Sequence, residues 1–141
     1  SAFMGPPESW DERIGYVLQD GLDNLAEASA ERWFTAEFRA SHSAVVAQFT
    51  GGLAECNPVG YAGCCAAIRD MDMRLALDHI AKDALIIGGS KDPATPPTHS
   101  EQLHASIRGS RLEYLCAAHL SNVECPDQFT ELVQDFLRTG D

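Results

Sequence analysis

Apolar positions recur at helical spacing up to about residue 80 of this chain, and then the period changes. Ile14, Val17 and Leu18 share one face of a predicted first helix, and Leu22, Leu25 and Ala26 share a face of a second. Val45, Val46, Phe49 and Leu53 mark a third, from about Ser43 to Cys56, which the Gly51-Gly52 pair weakens near its end. Asn57-Pro58 predicts a helix start. The Asn side chain can accept from the first free N–H groups, and proline fits the first helical position, where its missing N–H is not needed. That helix reaches about Asp70, and a short turn follows over Leu75 to Ile80.

From Ala84 the pattern is different. Ala84-Leu-Ile-Ile-Gly88 is a short continuous apolar run ending in Gly-Gly, which predicts a strand buried on both faces. Pro96-Pro97 opens a helix to about Ile107, Arg108-Gly109 ends it, and 111–116 reads as a second strand. Pro126 opens a last helix with Phe129, Leu132, Val133, Phe136 and Leu137 in one stripe. The chain thus divides into a lead-in over 1–10, a helical layer over 11–80 and a β-α-β-α part over 81–141. A right-handed crossover makes the two strands parallel, and the fold class is α/β. Parallel strands need cover on both faces and usually further neighbours. The expectation is therefore the C-terminal portion of a larger sheet. Its unpaired edge at 84–88 would associate with a missing N-terminal part or with another copy.

Composition narrows the partners. The chain has 141 residues, enough for one domain with a core, and its 45% hydrophobic and 22% charged residues are ordinary for a globular protein. A net charge of −11 argues against nucleic acid, since no basic stripe is available to displace counterions. It leaves room for a small anionic substrate facing one arginine. No apolar run approaches the roughly 20 residues of a membrane span, and no signal peptide is visible, so a cytoplasmic location is expected. Cysteines at 56, 64, 65, 116 and 125 form no C-x-x-C pair and read as reduced thiols. His99 and His104 lie roughly 140° apart around a helix and do not converge on a metal. His42 and His79 lack carboxylate or thiol neighbours at ligand spacing.

The candidate chemistry lies where the two strands end. Asp92 and His119 each follow a strand by a few residues, and adjacent parallel strands about 4.8 Å apart open their loops on the same edge. An aspartate facing one imidazole nitrogen would fix the tautomer and stabilise the imidazolium. The other nitrogen could then take a proton from a serine hydroxyl. Taken singly, Asp before Pro is a common turn residue and a histidine after a strand is usually a loop residue. The nucleophile is missing: no serine sits in a G-x-S-x-G elbow. Gly88-Gly-Ser90-Lys-Asp92 lacks the last glycine and runs into a proline-rich loop.

Asp92-Pro-Ala-Thr-Pro-Pro97 and Ala117-Ala-His119-Leu-Ser-Asn-Val-Glu124 resemble the 3-oxoadipate enol-lactonases of the α/β-hydrolase superfamily. So do Gly5-Pro-Pro-Glu-Ser-Trp-Asp-Glu-Arg-Ile14, Glu31-Arg-Trp-Phe-Thr35 and Tyr61-Ala-Gly-Cys-Cys-Ala-Ala-Ile-Arg-Asp-Met-Asp72, so the resemblance covers nearly the whole chain. It implies that 11–80 is a cap over the active site and that 84–88 and 111–116 are the last two strands of the hydrolase sheet. It implies Asp92 as triad acid and His119 as general base. The implied reaction is hydrolysis of the enol-lactone of 3-oxoadipate, in the β-ketoadipate route of aromatic breakdown, without metal or organic cofactor. That substrate carries a carboxylate, which makes Arg69 a candidate for a charge-assisted pair and Trp33 a candidate for the pocket wall. The plainer readings are a surface Arg69 bonded to Asp70 or Asp72, and Trp33 with Phe34 packing the cap on the sheet. The family's preceding strands, oxyanion loop and nucleophile elbow have no counterpart here, and Cys64, inside a predicted helix, cannot replace the serine. The chain alone is expected to be inactive. An α/β-hydrolase for another ester or lactone, or a non-catalytic helical binding module, are the alternatives.

Overall fold

A computed structural model describes residues 1–139. The helical layer comprises α1 (Pro7–Asp20), α2 (Leu25–Trp33), α3 (Ala36–Ser41), α4 (Ser43–Ala54) and α5 (Pro58–Asp70), then a 3-10 turn at Arg74–His79. β1 (Leu85–Gly89), α6 (Pro97–Ser106), β2 (Arg111–Leu115), α7 (Ser121–Glu124) and α8 (Pro126–Thr139) follow. Asn57 caps α5 as its sequence implied: its side-chain oxygen accepts from Val59 N at 2.9 Å and Gly60 N at 3.1 Å. Gly21 ends α1 at φ 77°, a left-handed conformation that glycine adopts without a Cβ clash.

The helical layer closes on itself. α1 packs along α5 and α2 along α4. Buried Val17, Leu22 and Leu53 form the centre, with Tyr16, Leu25, Trp33 and Tyr61 against them. Each full burial of such a side chain contributes about 1.5–3 kcal/mol. Phe34, 1% exposed, stacks on Phe38 and meets Phe49 edge-on, locking the corner between α2 and α3. Leu22 lies in the connection rather than in α2, and Leu18 is 55% exposed, displaced around the helix from the buried Val17. α3 and α7, six and four residues long, were not read from the sequence because neither completes a hydrophobic period.

β1 and β2 pair in parallel, with Leu85 opposite Arg111 and Gly89 opposite Leu115. The expected burial on both faces is not realised. Gly88 and Gly89 are buried, but Leu85, Ile86 and Ile87 are only half-buried. Among the described residues no other strand pairs with β1, so its second edge and part of its face lack cover. The α8 stripe shows the same shortage: Phe129, Leu132, Val133 and Phe136 are half-buried and Leu137 is 67% exposed. Among the described residues no helix is long and apolar enough to cross a membrane.

The two glycines closing β1 answer to close approach. A methyl group on Gly88 would lie 2.9 Å from the Tyr114 ring and 2.9 Å from Ser100 Oγ. On Gly89 it would overlap the Ala118 carbonyl oxygen and lie 2.6 Å from that of Ala117. Backbone atoms cannot swing aside as side chains do. Gly89→Ala is therefore expected to lose about 1–3 kcal/mol of stability. Gly15→Ala, on an exposed helical position with open space around it, should gain about 0.5–1 kcal/mol. Urea midpoints of the two variants, moving in opposite directions, check both.

Candidate active site

The loops after the two strands are stitched together before either functional side chain is placed. Ser90 N donates to Leu115 O at 2.8 Å and Lys91 N to Ala117 O at 3.0 Å, carrying the ladder past the end of β1. Asp92 then turns the chain. Its Oδ1 accepts from Ala94 N at 2.7 Å and Thr95 N at 3.0 Å, an arrangement natural to an aspartate before proline. Its Oδ2 faces His119 Nδ1 at 2.8 Å and accepts from Thr95 Oγ1 at 2.7 Å. Asp92 is thus both a turn residue and the partner of His119.

Asp92 is 7% exposed. Burial alone would push its carboxyl up, but the hydrogen bonds from His119 and from the Thr95 amide and hydroxyl outweigh it and hold the group below the usual carboxylate range. An ionised Asp92 accepting from Nδ1–H leaves Nε2 of a neutral imidazole as the acceptor, the state a general base requires. His119 itself remains partly exposed.

It opens onto a cavity of about 220 Å³ between the helical layer and the strand loops, whose wall includes Trp10, Arg13, Arg32, Trp33 and Tyr61. Arg13 donates to the Tyr61 hydroxyl from Nε at 2.9 Å and Nη2 at 2.6 Å. Trp33 lines this cavity and also packs against the Val17, Leu22 and Leu53 core of the helical layer rather than against the sheet. Arg69 does not reach this cavity. Its guanidinium sits at the end of α5, bonded to Asp11 at 2.6 Å and Asp70 at 2.8 Å, and those acids hold it at the surface. Arg13 and Arg32 are the cationic side chains of the wall; both lie in segments that carry the family resemblance, although Arg69 was the arginine expected to face the substrate. Cys64 borders the cavity from within α5, and burial pushes the thiol of neighbouring Cys65 up. A larger groove of about 520 Å³ lies between β2 and α8, where Arg111 bonds Glu113 at 2.8 Å and Asp135 at 2.7 Å. Among the described residues no group of three or more potential ligands gathers where a metal could sit. His99 instead meets the Ser1 hydroxyl and His104 that of Ser110.

Two further residues, both inside the segments that carry the family resemblance but assigned no role from the sequence, shape the site. Thr95 braces Asp92 and lies 3.4 Å from His119 Nδ1. Glu124 ties the His119 loop to Thr35 of the helical layer.

No family model matches the chain. Against curated proteins it is 35% identical over 138 residues to 3-oxoadipate enol-lactonase 2 of Acinetobacter baylyi, covering 98% of this chain and 52% of that protein. Among solved structures, the enol-lactonase of Burkholderia xenovorans superposes with a TM-score of 0.95 at 36% identity, over 98% of this chain and 53% of the other. A hydrolase from Pseudomonas aeruginosa superposes at 0.92 with 41% identity, over 97% of this chain and 52% of the other. The fold is the C-terminal portion of an α/β-hydrolase. Within that class, the chain is similar over nearly its whole length to the 3-oxoadipate enol-lactonases, and spans about half the length of the relatives it matches.

The lowered pKa of Asp92 has a signed consequence for stability. The contribution is fully present above the ordinary carboxylate value and is lost as pH falls through the depressed folded-state value. The stability gap between the wild type and Asp92→Asn should be wide at neutral pH and shrink below about pH 4. Urea unfolding of both proteins on either side of that value measures the gap.

Proposed function

We propose that this chain supplies the acid–base half of a serine hydrolase that opens a carboxylate-bearing enol-lactone, the substrate class of the 3-oxoadipate enol-lactonases it resembles. The observation that carries the reading is the 2.8 Å contact between Asp92 Oδ2 and His119 Nδ1, with His119 on a cavity that also holds Arg13 and Arg32. In this reading the helical layer is the cap and Trp33 its apolar wall over the substrate ring. Arg13 or Arg32 takes the substrate carboxylate. Arg69 would do so only by leaving Asp11 and Asp70.

The nucleophilic serine and the oxyanion donors would come from a segment corresponding to the remainder of the relatives' length, seated against the open edge of β1. His119 Nε2 takes the serine proton as Oγ attacks the lactone carbonyl. The ring C–O bond breaks, and the proton passes to the departing enolate oxygen, leaving an acyl-serine. Water, deprotonated by the same nitrogen, then releases the acid and restores the serine. Asp92 holds the imidazole and offsets its positive charge throughout. No step calls on a metal or organic cofactor.

Lactone hydrolysis, followed by loss of ultraviolet absorbance, tests the reading with this chain alone and mixed with the N-terminal half of a similar enol-lactonase. Activity is expected only in the mixture, reduced at least about a thousandfold by His119→Ala. Turnover by the chain alone, or a mixture indifferent to His119→Ala, would overturn it. Turnover of simple esters but not of the enol-lactone would favour another substrate of the same class.

A further inference from the structure

Glu124 bonds both the helical layer and the His119 loop. Its Oε1 accepts from Thr35 N at 2.7 Å and from Thr35 Oγ1 at 2.8 Å, while its Oε2 accepts from Ala118 N, the amide immediately before His119. Alongside, Leu120 N donates to Trp33 O at 2.9 Å. The segment 33–35 is the corner between α2 and α3, carrying the cavity-wall residue Trp33 and the buried Phe34. The segment 118–120 carries His119. One carboxylate thus joins the segment that carries the cavity-wall residue, through Thr35, to the segment that carries His119, through Ala118.

All three groups around Glu124 are donors, and an ionised carboxylate is the side chain that accepts from all of them. Because the Thr35 hydroxyl gives its proton to Glu124, its lone pairs are free, and Oγ1 accepts from Phe38 N at 3.2 Å to cap α3. Loss of the carboxylate would therefore loosen the start of α3 and the peptide before His119 together.

We propose that Glu124 is a positioning residue that locks the α2–α3 corner to the His119 loop, setting the cavity wall and the His119–Asp92 alignment as one unit. Its catalytic meaning rests on the hydrolase reading above, but the coupling has a test that needs no substrate. Glutamine has one acceptor oxygen and places an amide donor against a donor.

In the 141-residue chain, Glu124→Gln should speed amide exchange at Ala118 and Thr35 about tenfold relative to Ser90, whose partner is in the sheet ladder. It should also raise the share of His119 protonated on Nε2, read from the nitrogen spectrum of labelled imidazole. Thr35→Val should give a smaller change in the same direction, and Thr35→Ser should restore the wild-type spectrum. If Glu124→Gln does not fold, the Thr35 pair carries the test. An unchanged His119 tautomer, or equal acceleration at Ser90, would overturn the proposal. Intact coupling with no hydrolysis in the mixture would instead count against the lactone reading alone.

Discussion

The parallel pairing of β1 with β2 is the constraint on which the site depends. Antiparallel strands would send their loops to opposite ends. The register that sets Gly89 opposite Leu115 brings both chains to the same edge at the same height. Two amides beyond the end of β1 then continue the ladder into the His119 loop, so the connection is rigid where Asp92 begins. Gly89 makes this possible, since any side chain there would occupy the space of the Ala117 and Ala118 carbonyls. Without that approach the carboxylate and the imidazole would not meet.

On this frame the site is assembled from short-range hydrogen bonds. The Asp92 turn absorbs one carboxylate oxygen and aims the other, with Thr95 completing its shell. Burial raises the stakes of every one of these bonds, because a buried charge without partners would neutralise itself. The helical layer supplies the opposite wall and is held in place through Thr35, Glu124 and the Trp33 carbonyl. Chemistry and shape are therefore set by the same few contacts across the two halves of the chain.

The incomplete cover of the β-α-β-α part agrees with the comparisons. Leu85, Ile86 and Ile87 are half-buried, β1 has one paired edge among the described residues, and the α8 stripe has no buried member. The relatives that match are about twice as long. Burying apolar area contributes about 25 cal/mol per Å², so these half-exposed surfaces add less to stability than the closed core of the helical layer.

Much of this protein was legible in its residues. The change of period near 84, the Asn57-Pro58 start, the α8 stripe and the Asp92 and His119 positions after two strands are local patterns, and local patterns survive without knowledge of the fold. Tertiary structure alone decided what depends on pairs distant in sequence. It placed Arg13 beside Tyr61 across 48 positions and Glu124 beside Thr35 across 89. It drew Arg69 to Asp11 at the surface, leaving the cavity to Arg13 and Arg32. A charged side chain reads the same in a sequence whether it lines a cavity or binds a neighbouring acid. Only the packing of α1 on α5, which sets which guanidinium meets which oxygen, separates the two.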